Sequence, residues 1–162
     1  MARSADLLVR QATAADADGI LACLAEAFTP FRSQYTPAAF ADTVLSQETL
    51  AARFRTMTIL VAEEAAGVVA GTIAVSSGAG FAGHLRGMAV RAARQGSGVA
   101  AQLLGAAESV LHAQGCRRVT LDTTAPLTRA IAFYRRHGYA PTGRVQDFYG
   151  MALFEYEKEL EG

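Results

Sequence analysis

Arg94-Gln95-Gly96-Ser97-Gly98-Val99-Ala100 is a glycine loop that opens straight into the most regular helical pattern of the chain. From Val99 the apolar positions run Val99, Ala100, Leu103, Leu104, Ala107, Val110 and Leu111, one buried stripe of an α-helix, and Gly115 stands where such a helix ends. Upstream, Leu85-Arg86-Gly87-Met88-Ala89-Val90 reads as a strand. The unit is therefore strand, basic loop, glycine turn, helix. Glycines let a backbone approach a ligand closely, and the free N–H groups and dipole of a helix's first turn favour an anion. The loop is a candidate phosphate cradle.

Outward from this loop the charge is uneven. The chain of 162 residues has no formal net charge, yet between His84 and Arg144 nine arginines face only Glu108 and Asp122, a local +7 that leaves −7 elsewhere. A basic segment around a glycine loop suits a polyanionic ligand. Nucleic acid is disfavoured as a partner because the segment lacks interleaved aromatics. No apolar run nears the ~20 residues of a membrane span, and Met1–Asp6 contains no leader core, so the expectation is a cytoplasmic protein with no membrane partner. A single lysine among fifteen basic residues, with abundant alanine, fits a GC-rich bacterial source. Cys23 and Cys116 read as reduced, unrelated thiols, and with His84, His112 and His137 scattered no metal site is expected.

Taken in order, Leu7–Arg10 is a short strand, and Thr13 with Asp16 resembles a capping box for a helix burying Ile20, Leu21, Leu24, Ala27 and Phe28. Pro30 ends it. Thr36-Pro37 and Ser46 start two further short helices, and the aromatic-bearing loop with Phe31 and Tyr35 is a candidate wall for a substrate site. Strands follow at Ile59–Ala62, Val68–Val75 and His84–Val90, joined by links short enough for an antiparallel meander. The helix from Gly98 to Gln114 then returns the chain to Arg118–Asp122, and such a crossover makes the two strands it joins parallel. A helix from about Pro126 to Gly138 and a final pair near Thr142–Val145 and Phe148–Tyr156 complete the chain. The expected fold is α/β (α+β): one domain over residues 1–162, with a mixed, mostly antiparallel sheet of six to seven strands and helices on both faces.

Two families compete for the loop. Gly96-Ser97-Gly98-Val99-Ala100-Ala101 satisfies the loose G-x-G-x-x-A dinucleotide fingerprint, with Asp122 where a ribose-binding acid would stand. In that fold, however, the glycines follow the strand almost at once, whereas Arg91–Gln95 intervene here. The chain resembles the GNAT superfamily of N-acetyltransferases over nearly its whole length. Gln95-Gly96-Ser97-Gly98-Val99-Ala100 is similar to that family's Q-x-x-G-x-A acyl-CoA pyrophosphate loop. Leu85–Val90 is similar to its central strand, and Ala132-Phe133-Tyr134-Arg135-Arg136-His137-Gly138-Tyr139 to its x-F/L-Y-x-x-x-G-F/Y segment.

The resemblance implies an acetyl-CoA-dependent N-acetyltransferase. Acetyl-CoA would be the acyl donor, with no metal. Its pantetheine arm would run along Met88, Ala89 and Val90, and Gln95, Gly96, Ser97, Gly98, Val99 and Ala100 would hold the pyrophosphate, with Arg91, Arg94 or Arg135 near the adenosine phosphates. Tyr134, beside the thiol in the family, is the implied general acid, and a main-chain N–H near Val90 the implied oxyanion donor. For the general base, the position where the family often has a carboxylate holds His84; Asp122 is the second candidate. An asparagine common three residues before the Ala130 position is Leu127 here, and Asp147–Gly150 is a candidate lining of the acceptor pocket. The acceptor is expected to be a small-molecule amine rather than a protein, and homodimerisation through the C-terminal strands is compatible with the resemblance. The competing functions are a CoA-binding regulatory module without turnover and a small dinucleotide-binding oxidoreductase.

Overall fold

The computed structural model describes residues 7–65 and 67–161. Met1–Asp6, where a leader core was sought, and Ala66, in one hairpin link, lie outside the described residues. Seven strands form one sheet: β1 (Leu8–Gln11), β2 (Thr58–Glu63), β3 (Val69–Ser77), β4 (Ala82–Val90), β5 (Arg118–Thr123), β6 (Ala140–Phe148) and β7 (Met151–Glu159), in the order β1-β2-β3-β4-β5-β7-β6. The helices are α1 (Ala17–Phe28), α2 (Pro37–Thr43), α3 (Gln47–Thr56), α4 (Val99–Ala113) and α5 (Thr128–Arg136).

The middle strands are apolar on both faces because both are covered. Leu60, Ala62, Ile73 and Val75 pack with Leu103, Leu104 and Leu111 of α4, while Ile59, Val61 and Ala74 pack with Ile20, Leu24 and Leu50 of α1 and α3. Period-two alternation thus feeds two separate cores. Cys23 and Cys116 are both buried free thiols, one in each core.

The crossover through α4 makes β4 and β5 parallel, as expected, and all other pairs are antiparallel. The parallel pairing lasts only from Ala82↔Arg118 to Leu85↔Leu121. Beyond Leu85, β4 runs on to Val90 without β5 beside it, so the centre of the sheet splits into a V. At that point β4 also bulges. Gly87 and Met88 together oppose Ile73, and Gly87 takes φ +63. The extra residue flips the alternation: Leu85, Met88 and Val90 face α4, and Ala89 faces α1.

The last hairpin differs from its expected place. Its turn is Tyr149-Gly150, not the stretch around Gln146, and β6 and β7 extend to meet it. Both turn residues have positive φ, the requirement of a two-residue hairpin matching the sheet's twist, and Asp147 Oδ1 accepts the Gly150 N–H at 3.2 Å. The helix expected from about Pro126 begins at Thr128, because Ala125-Pro126 forms a turn before it.

Arg10 of β1 ties the start of α1 to the sheet. Its guanidinium donates to both oxygens of Asp16 at 2.8 Å and to Glu63 at 3.2 Å, while Asp16 also accepts the Thr13 N–H at 2.8 Å. Chiefly through the Arg10 bonds, and against the opposing effect of burial, the Asp16 carboxyl is pulled from 3.8 down to about 2. A depressed carboxyl stabilises the fold at pH values above its unfolded pKa, and that contribution is lost as pH falls through the folded value. Asp16→Asn is expected to lower stability at neutral pH by about 2 kcal/mol in denaturant titrations, with the difference from wild type shrinking as pH falls from about 4 towards 2.

Candidate active site

The split between β4 and β5 opens into a cleft of about 1460 Å³ that reaches both faces of the sheet. On the α4 face its floor is the glycine loop. Gly96 and Gly98 take φ +80 and +93, and a Cβ at either would meet nothing within 4 Å. The turn therefore leaves the space in front of it clear. Gly98 caps α4, whose first internal bond runs from Gln102 N–H to Gly98 O, so the N–H groups of Val99, Ala100 and Ala101 have no partner within the helix. Gln95 Nε2 donates to Val90 O at 3.1 Å and fastens the loop to the end of β4.

The free edge of β4 borders the same space. Arg91 N–H donates to Ala70 O at 2.9 Å across the β3 ladder. By the alternation of an antiparallel pair, the peptide groups of Met88 and Val90 turn the other way, towards the gap. Thr123, at the end of β5, lines the cleft with its hydroxyl buried and without a hydrogen-bond partner among the described residues. Tyr134 of α5 lines it as well, held edge-on against Phe133 and Tyr139 at ring separations of 5.6 and 5.9 Å. Burial pushes its phenol well above 10, which keeps it protonated.

On the opposite face, His84 of β4 stands opposite Thr120 in the short parallel register, and Asp122 lies two residues further along β5. His84 Nδ1 lies 2.9 Å from Thr120 Oγ1, and the Thr120 hydroxyl donates in turn to Gly83 O at 3.4 Å. In the tautomer where the Thr120 hydroxyl is spent on Gly83 O, Nδ1 is the donor and Nε2, 3.6 Å from Asp122 Oδ2, is the basic nitrogen. Burial lowers the imidazole below 6.5, with Asp122 pulling the other way, and burial raises the Asp122 carboxyl. The imidazole is consequently neutral near pH 7, and a proton taken at Nε2 would face a carboxylate.

The cleft gathers Met88, Ala89, Val90, Gln95, Gly96, Gly98 and Ala100 with Tyr134, His84 and Asp122. Two loop residues stand apart by side chain. Val99 is buried beneath the loop, and the Ser97 hydroxyl folds back onto Arg94 O. Two arginines expected near the cofactor phosphates have partners in the fold: Arg91 donates to Val69 O at 2.8 Å and pairs with Glu26, and Arg94 holds both oxygens of Glu64 at 2.6 and 2.7 Å. Arg135 stacks over Tyr156 instead. Leu127, at the asparagine position, lines the cleft as an apolar group.

The aromatic loop does form part of the wall. Phe31 and Tyr35 both line it, and the Tyr35 hydroxyl lies 2.6 Å from Thr124 Oγ1, linking that loop to the end of β5. Tyr149 is exposed, and its carbonyl accepts from Thr36 Oγ1 at 2.8 Å, bringing the last hairpin over the cleft. Sequence patterning does not single out Arg53, Asp42 or Thr123 as lining residues. The one trace of Arg53 is Gly87, since a glycine inside a strand marks a close approach. A Cβ there would stand 2.6 Å from Arg53 Nη1.

A dinucleotide-binding sheet would be parallel and doubly wound, and this one has a single parallel pair. The model of the Acetyltransferase (GNAT) family matches residues 20–139. None of the curated proteins matches the chain. Among solved structures, a GNAT-family acetyltransferase from Staphylococcus aureus is 13% identical, with a TM-score of 0.78 over 96% of this chain and 99% of its own. The PaiA N-acetyltransferase of Thermoplasma acidophilum, solved in complex with coenzyme A, is 18% identical, with a TM-score of 0.77 over 95% and 99%. A ribosomal-protein-alanine N-acetyltransferase from Brucella melitensis is 23% identical, with a TM-score of 0.71 over 94% and 99%. These likenesses are of fold, whereas the family model, matching the strand, loop and helix that frame the cleft, places the chain within the GNAT acetyltransferase family.

Proposed function

We propose that the protein transfers an acetyl group from acetyl-CoA to a primary amine of a small-molecule acceptor. What supports this above all is the convergence in one cleft of an anion cradle, an unpaired strand edge, a protonated phenol and a neutral, carboxylate-backed imidazole. The residues suit the donor. The open glycine turn and first-turn N–H groups fit a pyrophosphate, the peptide groups of Met88 and Val90 fit the amides of an extended arm, and Thr123 holds a spare hydroxyl beside them. The donor supplies an activated thioester.

The chain's own groups then divide the proton work. His84 Nε2 takes the proton from the acceptor's ammonium or from the attacking amine, and the Asp122 carboxylate stabilises the imidazolium that results. Thr120 fixes the ring's orientation through Nδ1. From the other face, the Tyr134 hydroxyl delivers a proton to the departing sulfur, and a main-chain N–H near Val90 steadies negative charge on the carbonyl oxygen.

Calorimetric titration with acetyl-CoA, with NADH and NADPH as controls, is expected to show binding of acetyl-CoA alone. Binding of the nicotinamide cofactors alone would overturn the reading, and acetyl-CoA binding without CoA release on any amine would favour a regulatory module. Gly98→Val is expected to fold but lose acetyl-CoA binding, because a branched side chain at φ +93 distorts the cradle and fills it. Tyr134→Phe is expected to lower kcat by roughly 100-fold or more while leaving acetyl-CoA affinity unchanged.

The acid limb of kcat/KM is expected below pH 6.5, since burial lowers His84 and the base works only when neutral. Asp122→Asn removes the charge that favours the imidazolium, so that limb should move to still lower pH as kcat falls. His84→Ala should abolish the limb and cost roughly 10²–10⁴-fold in rate. A pH profile unaltered by either change would remove His84 as the base.

A further inference from the structure

Arg53 lines the cleft and has no part in the proton chemistry. It projects from the last turn of α3 to the bulge in β4, where the absent side chain of Gly87 leaves room for its guanidinium. Among the described residues no carboxylate lies within ion-pair distance of its guanidinium, which donates no hydrogen bond although the residue is half-buried. Arg86 stands beside it on the same wall but already pairs with Asp42. Asp42 acts on both guanidinium groups but is bonded to Arg86, so Arg53 faces the acceptor side of the cleft without an ion pair of its own.

An arginine brought out of water without a partner is an unfavourable arrangement unless a ligand completes it. Burial, with the neighbouring Arg86 cation as the next cause, lowers Arg53 to about 10 from its usual 12.5, still charged at pH 7. The planar donor fork of arginine matches a carboxylate in bidentate fashion. Nearby, His84 of β4 and Asp122 of β5 place a base and a negative charge, the surroundings that suit an amine. The cleft is therefore polarised, with acid and base at one site and cation at another. Phe31 and Tyr35 add apolar wall between the loop and the sheet.

We propose that Arg53, with Arg86 beside it, binds a carboxylate on the acceptor, which is accordingly an amino acid or another small amine bearing a carboxylate, rather than a plain amine or polyamine. This rests on the acetyl-transfer reading above. Arg53 selects the acceptor and takes no part in the proton transfers.

The test compares acceptors that differ only in that charge. L-Phenylalanine, L-leucine and L-methionine are set against their carboxamides, and against phenethylamine and isopentylamine, by CoA release from acetyl-CoA. Acetyl-CoA binding is measured on the same preparations by calorimetry. At least one carboxylate-bearing acceptor is expected to exceed its carboxamide about tenfold or more in kcat/KM. Arg53→Gln should remove that preference by raising KM about tenfold or more, with kcat and acetyl-CoA affinity little changed, and Arg53→Lys should restore part of it. Failure of acetyl-CoA to bind overturns both readings. With binding intact, equal or better turnover of the carboxamides or plain amines, no turnover of any carboxylate, or a preference that survives in a folded Arg53→Gln overturns this one alone.

Discussion

Everything in this protein turns on β4 parting from β5 after Leu85. A sheet normally satisfies the peptide groups of its middle strands through their neighbours, and a buried group left unpaired costs about 1–3 kcal/mol. Here the strand in the middle of a seven-stranded sheet runs on for several residues with a partner on one side only. The cost is sustained by the two cores on either side, whose fully buried residues, Leu103 and Leu111 on one side and Leu24 and Leu50 on the other, hold the sheet open at one end while clamping it at the other. What a complete sheet would hide is offered to a ligand.

The bulge at Gly87-Met88 adds a second consequence to the same defect. By shifting the alternation of β4, it lets Met88 and Val90 face the α4 side while His84 and Arg86, before the bulge, line the side towards α3. One strand so serves two chemistries on two faces, with the anion cradle and phenol on one and the imidazole and guanidinium groups on the other. The split joins them. A donor and an acceptor entering from opposite sides can meet only at the gap, which is where the His84 and Tyr134 side chains are directed.

Charge is distributed in keeping with this geometry. Arg10, Arg91 and Arg94 pair with Asp16, Glu26 and Glu64 and lock loops to the sheet. In the basic middle of the sequence Arg86, Arg91, Arg94, Arg118 and Arg144 all have carboxylate partners, so an anion at the glycine turn would be met chiefly by backbone N–H groups. Such groups are fixed by the fold and do not titrate. Arg53 is the reverse case, a cation outside the basic segment with no carboxylate at ion-pair distance among the described residues.

The strand, glycine loop and helix were legible from residues 85–111 because local physics dictates them: period-two and period-3.6 burial, glycines at positive φ, and a crossover that permits only parallel strands. The last hairpin was misplaced by several residues because Tyr149 adopts a positive φ that its residue type does not advertise, and only pairing with β7 reveals it. His84 and Tyr134 were nameable as candidates through the family resemblance of their segments, and Asp122 from its place at a strand end. Their pairing and protonation were not, because these depend on burial and on the Thr120 hydroxyl across the register. By itself the sequence determined the elements, their order and the glycine turn that opens α4, all products of contacts between near neighbours in the chain. Only the tertiary structure decided where the sheet splits, which arginines are already paired, and that Arg53 reaches the cleft, because each is settled by groups on separate elements meeting in space.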